Sequence, residues 1–369
     1  MARGVLVHEW LAETGGSENV FDVLVETFPD ADLSCLWSDV QDRYPGRSLN
    51  ETWLARTPLR KSKMAALPFL PQTWRGRPGG YDWALVSTHL FAHHVSFREQ
   101  PPGFRKYAYV HSPARYIWEP ELDRRGSSPV ARAAAGALKP LDRRRAKEIT
   151  AAAANSHFVR ERIERAWEIE ATVIHPPVDV ARISSVEDWS TRLAPAERQI
   201  LESLPADFLL GASRLIPYKA LDVVLEVGRT TGLPVVIAGD GPERDRLEAY
   251  ARERGVRAYF LGRVSDELLF ALYQATLAYV FPAIEDFGIM PVEAMAAGAP
   301  VVCSCSGGVL ETVVDGVTGA TADFDDTTSV RAAVERAASV ERAASRERAE
   351  DFSRGRFVSA IRAFVGDSA

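Results

Sequence analysis

Cysteine is scarce in this chain. There are three in 369 residues, Cys35, Cys303 and Cys305. They form neither a disulfide framework nor a zinc spacing, so a reducing, cytoplasmic setting is expected. Long apolar runs are missing too. None approaches the roughly 18 residues that a membrane span requires, and the N-terminal VLVHEWL is too short and too charged for a signal peptide. No Gly-x-Gly-x-x-Gly follows the first strand of either half, which argues against a nicotinamide dehydrogenase. Strong charge of one sign is absent as well. Residues 1–178 hold 24 basic and 21 acidic residues, residues 179–369 hold 20 and 29, and the whole chain carries –6. That balance is too mild to imply a nucleic-acid partner. Its unevenness, with all seven histidines in the first half, fits two units with different tasks.

What is present is alternation. The length implies about two domains. The second half reads as strands at 207–213, 234–238, 257–261, 277–281 and 300–303. Helices are expected near 220–231, 242–254, 266–275, 291–297 and 308–314. Such a pattern specifies a parallel sheet with right-handed crossovers. The first half offers strands at Gly4–Glu9, Tyr81–Ser87, Arg105–His111, Ile149–Asn155 and Glu170–His175. A helix is expected to start near Ser17 as N-cap, another to run over 129–147 with a break near Pro140, and a third to be capped by Asn155-Ser156. Pro176-Pro177 marks an extended hinge, and residues 327–365 read as helical. Residues 43–80 look irregular and basic, with Arg56, Arg60, Lys61 and Lys63 among Leu67, Phe69, Leu70 and Trp74. They make either a solvated face or an amphipathic surface for an anionic lipid or a phosphorylated acceptor.

The densest chemistry lies in residues 277–302, LAYVFPAIEDFGIMPVEAMAAGAPVV. A buried strand ends at Pro282, an acidic loop follows, and Pro291 suits the first turn of a helix. Gly298 and Pro300 suit its end. The open N–H groups at such a helix start, with the positive end of the dipole, favour phosphate at Phe287, Gly288 and Ile289. Glu293, expected in the first turn, either complements the dipole or has a separate task, and Glu285 is either a solvated loop acid or a site residue. Arg214 and Lys219 follow a strand directly, and two cations at the carboxyl edge of a parallel sheet suit a diphosphate. Gly15-Gly16 is a second phosphate-friendly turn. His111 ends a strand at the ligand-binding edge, where it is either functional or a hydrogen-bonded structural histidine. His89, His93 and His94 have no carboxylate or cysteine near them in sequence, which argues against a metal site. Asp323-Phe-Asp325 reads as a polar turn leading to a helix N-cap.

Glu285-x7-Glu293 within EDFGIMPVEAMAAGAPVV resembles the signature of the family-4 retaining glycosyltransferases, and bacterial mannosyltransferases are the most similar by pattern. HSPARYIW and the Arg214-x4-Lys219 pair resemble further segments of the same family, which often has Gly, Asn or Arg where this chain has Ala220. The resemblance implies an α/β protein of GT-B fold, with two Rossmann-like domains facing each other across a cleft and a C-terminal helix crossing back. Residues 1–178, with about 350–369, would take the acceptor, and residues 179–349 the nucleotide-sugar donor. His111 would reach the transferred sugar and Glu285 its hydroxyls. Arg214, Lys219, Phe287, Gly288, Ile289, Gly15 and Gly16 would meet the diphosphate, and Glu293 the ribose. Arg263, Val264 and Asp266 resemble the loop around the base. A carboxylate there can accept from guanine N1–H and its exocyclic amine, which favours GDP over UDP. The implied reaction is retaining hexosyl transfer, mannose favoured, from a nucleoside-diphosphate sugar to a hydroxyl of a glycan, lipid-linked sugar or secondary metabolite. No metal or other cofactor is expected. A UDP-sugar transferase, or an epimerase or hydrolase of similar architecture, is the alternative.

Overall fold

The computed structural model describes residues 2–119 and 129–366, and the chain divides into two compact units. Unit 1 comprises residues 1–177 and 355–369, and unit 2 residues 178–354.

Unit 1 holds a seven-stranded sheet of β1 (Gly4–His8), β2 (Asp32–Cys35), β3 (Leu49–Glu51), β4 (Trp83–Thr88), β5 (Arg105–Val110), β6 (Ala151–Ala154) and β7 (Thr172–Val173). The spatial order is β3-β2-β1-β4-β5-β6-β7, and every pairing is parallel. The order reverses between β1 and β4, so the loops after these two strands diverge and leave a crevice at their carboxyl ends. Both central strands are buried along their whole length, as expected of a sheet covered on both faces. Helix Gly16–Thr27 covers one side through Val20, Phe21 and Leu24. The last helix, Arg354–Val365, adds Phe357, Ile361 and Val365 to the same core.

Unit 2 is a six-stranded sheet of β8 (Leu209–Ala212), β9 (Val235–Ala238), β10 (Ala258–Gly262), β11 (Ala278–Phe281), β12 (Val301–Ser304) and β13 (Gly319–Ala322). It is parallel throughout, in the order β10-β9-β8-β11-β12-β13. Its reversal falls between β8 and β11.

Several expectations are corrected. Strands β2, β3 and β13 were not anticipated, and β7 is two residues where six were expected. Helix Gly16–Thr27 starts one residue before Ser17, with Gly15 as N-cap, while Ser17 donates to the Glu18 carboxylate at 2.7 Å. One helix runs from Pro129 to Ala146 through Pro140, so the proline withholds a backbone donor without ending the helix. The expected helix at 308–314 is a single 3₁₀ turn, Gly308–Glu311. Ser156 does cap the next helix, accepting from the Val159 N–H at 3.0 Å. Asp323 lies in a turn and Asp326 caps the helix after it.

Candidate active site

In unit 2 the chain leaves β11 at Pro282 and enters helix Ile289–Ala297 through Gly288. Gly288 sits at φ 95°, in the left-handed region, and a side chain there would press on Pro291. Glycine is thus required by the backbone path alone. The approach is braced from behind, since the Gly308 N–H donates to the Glu285 carbonyl at 2.8 Å. Phe287 is buried and packs edge-on against Phe352 at 5.5 Å. Its ring anchors the loop. Glu293 is the fifth helical residue, in the second turn rather than the first, because Gly288 sets the helix start at Ile289.

Facing this loop across the strand reversal are the residues after β8. Lys219 ends a 3₁₀ turn, Pro217–Lys219, and its ammonium pairs with the Glu285 carboxylate. Both side chains are largely buried. The structure therefore joins a residue read as a diphosphate ligand to one read as a sugar ligand. The Arg214 guanidinium donates to the hydroxyl of Tyr218, the neighbour of Lys219 in that turn, at 3.3 Å. Ala220 takes the left-handed conformation at φ 52°, ψ 43°, which glycine or asparagine adopts at less cost than alanine. Gly239 and Gly241 lie so close to the backbone of 213–215 that a side chain on either would collide with it. Their turn shapes the loop that carries Arg214 and Lys219.

The proposed nucleoside end is built on helix Asp266–Ala275. Ser265 is its N-cap, accepting from the Leu268 N–H at 3.1 Å and donating to Glu197 at 2.5 Å. Asp266 is exposed and pairs with Arg182 at 3.0 Å, so a base reaching this carboxylate would share it. Arg263 is exposed, whereas Val264 packs against the unit's core.

In unit 1 the carboxyl ends of β1, β4 and β5 gather three histidines. Ser87 Oγ lies 2.8 Å from His111 Nε2 and 3.0 Å from His8 Nδ1. The His111 N–H donates to the Thr88 carbonyl at 2.9 Å, and the His89 and His111 rings are 6.4 Å apart. His8 is fully buried, which pushes its pKa well below the ordinary histidine value, with the nearby His89 and His111 adding to the effect. Beside it, the buried Glu9 carboxylate uses one oxygen to accept from Thr88 Oγ1 at 3.0 Å. The same oxygen accepts from the N–H groups of His89, Leu90 and Ala92 at 3.3, 2.8 and 3.0 Å. Gly15 and Gly16 also lie in unit 1, but the Glu18 carboxylate folds back over Gly15. That carboxylate accepts from Ser17 Oγ, and no side chain caps the helix start.

Residues 195–355 match the family described as glycosyl transferases group 1. This stretch is a group 1 glycosyl transferase domain. The chain is 30% identical over 194 residues to the GDP-mannose-dependent alpha-(1-6)-phosphatidylinositol monomannoside mannosyltransferase of Mycolicibacterium smegmatis, covering 48% of this chain and 50% of that one. It is 36% identical over 166 residues to the D-inositol 3-phosphate glycosyltransferase of the same organism, covering 42% and 36%. The chain thus spans half or less of the length of these curated relatives. Among solved structures, Anabaena HepE in complex with UDP and glucose matches with a TM-score of 0.68 at 17% identity, covering 100% of both chains. Sucrose-phosphate synthase from Thermosynechococcus elongatus matches with a TM-score of 0.68 at 16% identity, covering 98% of each. These likenesses establish the fold as GT-B, with two parallel Rossmann-like sheets.

Within the group 1 domain, Glu293 is the group with the most telling electrostatics. Burial first, and the nearby Asp266 second, raise its pKa to about 7 against the opposing charge of Arg182. Near neutral pH its carboxyl is therefore shared between two protonation states. Arg182 was not anticipated, because nothing in its local sequence marks it. Glu9 and Ser87 were missed too, although Glu9 stands next to His8 at the end of the first strand, where a carboxylate was legible.

A cluster of His93, His94 and Asp142 corrects one argument made from the sequence. The carboxylate missing from their neighbourhood is supplied by Asp142, fully buried, with one oxygen 3.1 Å from His93 Nε2 and 2.9 Å from His94 Nε2. Its other oxygen accepts from Trp118 Nε1 and Trp167 Nε1, both at 2.7 Å. The 2.9 Å contact of His94 is a hydrogen bond, His93 Nε2 lies close without one, and this carboxylate serves as a structural acceptor for the imidazole of His94 and the two indole N–H groups.

Proposed function

We propose that the protein is a retaining glycosyltransferase. It moves a hexosyl group, mannose favoured, from a nucleoside-diphosphate sugar, GDP favoured, to a hydroxyl acceptor. The observation that carries this reading is the Lys219–Glu285 pair at the strand reversal of the group 1 domain. It sets a cation for the leaving diphosphate beside a carboxylate for the sugar, next to a helix start suited to phosphate.

In the proposed step the bond from the anomeric carbon to the diphosphate oxygen breaks, and the electron pair leaves with the diphosphate. Lys219, Arg214 and the N–H groups around 287–289 stabilise that charge. Glu285 steadies the sugar as positive charge grows at the anomeric carbon. The acceptor oxygen bonds to the anomeric carbon on the vacated face, and its proton passes to the departing phosphate oxygen. No separate base, metal or further cofactor is required. The second unit holds the donor, with Glu293 at the ribose and Arg263, Val264 and Asp266 at the base. The first unit takes the acceptor, which is a glycan, a lipid-linked sugar or a secondary metabolite, and His111 is assigned to the transferred sugar. Peripheral contact with a membrane belongs to the same proposal. No nucleic acid takes part.

The mannosyltransferase relative, whose name specifies GDP-mannose, supports the GDP reading. The HepE complex contains UDP, so a UDP-sugar donor is the second reading. Titration calorimetry with GDP and UDP separates them: GDP is expected to bind more tightly, and the reverse ranking refutes the choice. Lys219→Ala is expected to weaken GDP binding by about tenfold to a hundredfold, the range for a hydrogen bond to a charged group. Unchanged affinity would remove Lys219 from the diphosphate site.

A further inference from the structure

The segment between Glu51 and Asp82 contains no acidic residue, yet it carries six cations, Arg56, Arg60, Lys61, Lys63, Arg75 and Arg77, in a chain of net charge –6. It folds as a string of short helical turns, Trp53–Arg56, Pro58–Lys61, Lys63–Ala66, Leu67–Phe69 and Leu70–Thr73. The turns are two-sided. Leu54, Ala66, Leu70 and Trp74 point inward and join the core around Trp37 and Trp10. Trp53, Met64 and Phe69 point outward, 50%, 62% and 46% exposed. They are the exposed large hydrophobic residues of unit 1 among the described residues, and the Trp53 and Phe69 rings stand edge to face at 6.2 Å.

Their neighbours on the outer side are basic. Arg56, Lys61 and Lys63 are exposed. Arg60 spans to Asp39 at 3.0 Å, and the Lys63 ammonium sits 4.0 Å over the Trp10 ring. A solvated basic face would have no need to expose a tryptophan and a phenylalanine together, and the exposed cations Arg56, Lys61 and Lys63 outnumber the nearby carboxylates of Asp39 and Glu51. Aromatic rings and long basic side chains are the residues that settle at the headgroup level of a bilayer. Their combination here selects negatively charged lipid, with the cations at the phosphates and the apolar tips below them.

We propose that Trp53, Met64 and Phe69, with Arg56, Lys61 and Lys63, form a docking surface for an anionic phospholipid membrane. This names the partner left general in the transfer reading and rests on different residues. Each cation near an anionic leaflet contributes about fivefold in partitioning. The full chain is expected to sediment with mixed phosphatidylcholine–phosphatidylglycerol vesicles and to stay in solution with phosphatidylcholine alone, with added salt weakening the association.

The double variant Arg56→Glu, Lys61→Glu is expected to lose at least a hundredfold in partitioning. Trp53→Ala with Phe69→Ala is expected to lose about tenfold, without recovery at low salt. These side chains are exposed, so melting temperature and GDP binding should match the unsubstituted chain. GDP binding that survives in all variants keeps the donor site separate from this test. Equal sedimentation with both vesicle types overturns the proposal, as do variants that partition like the unsubstituted chain. Binding to a single-stranded oligonucleotide that ignores the aromatic substitutions, with no vesicle binding, replaces the lipid by a polyanion and overturns it too.

Discussion

Replacing Glu293 by glutamine should make unit 2 more stable while weakening the binding of nucleotide to it. The carboxyl has its pKa raised to about 7 from an ordinary value of 4.5, chiefly by burial. A group raised in this way contributes stability that is fully present below about pH 4.5 and is lost as pH climbs through 7. A shift of two to three units, at about 1.4 kcal/mol per unit, puts the loss at roughly 3 kcal/mol above pH 8. Glutamine keeps the shape and never ionises, so Glu293→Gln should be near neutral at pH 5 and stabilising by about 2–3 kcal/mol at pH 8.5. Chemical denaturation of both proteins at the two pH values measures the difference, with an unchanged m-value as the check that only stability moved. If Glu293 holds ribose hydroxyls as a carboxylate, GDP affinity in the unsubstituted protein should fall below pH 7 by up to tenfold per unit. In the variant it should be weak and flat with pH. A stability difference that is the same at pH 5 and pH 8.5 would refute the reasoning.

Three further outcomes follow from the geometry. Ala220→Gly should stabilise the protein by roughly 1 kcal/mol, since alanine is strained in the left-handed region and glycine is not; a lower denaturation midpoint would count against this. Asp142→Ala should cost about 3–5 kcal/mol, because it strands buried indole and imidazole N–H groups that share this acceptor, and a loss under 1 kcal/mol in denaturant would contradict it. Glu285→Gln should lower turnover of the best donor far more than GDP affinity. Full turnover would take Glu285 out of the sugar site.

The parts of the fold that were legible are those whose signal is local. Central strands such as β1 and β11 are buried on both faces and read as unbroken apolar runs. Edge or near-edge strands β2, β3 and β13, with sequences DLSC, LNE and GATA, are short and polar or small, so no periodicity marks them. The candidate site divides the same way. Residues 285–293 lie within one turn and one helix, and their roles could be argued from spacing. The contacts that hold other site groups come from far along the chain: Ser87 meets His8 across 79 positions, Arg182 meets Asp266 across 84, and Asp142 meets His94 across 48. Only the sheet topology brings such residues together, so spacing could not find them. The basic segment was legible in charge but not in orientation, for Leu70 and Trp74 face inward while Trp53 and Met64 face out.

The return of residues 355–365 to the first unit reverses the order in which the chain can finish its work. A ribosome completes every strand of unit 1 before it begins unit 2, yet the Phe357–Ile361–Val365 stripe of that first core is made last. Burying these three side chains contributes roughly 1.5–3 kcal/mol each, a large share of a typical domain's net stability. Unit 2, continuous from 178 to 354, is free to fold during synthesis. Unit 1 must wait with an apolar groove open to solvent. An N-terminal fragment ending at residue 177 would carry that groove permanently and be prone to aggregate, whereas adding the last helix in trans should rescue it.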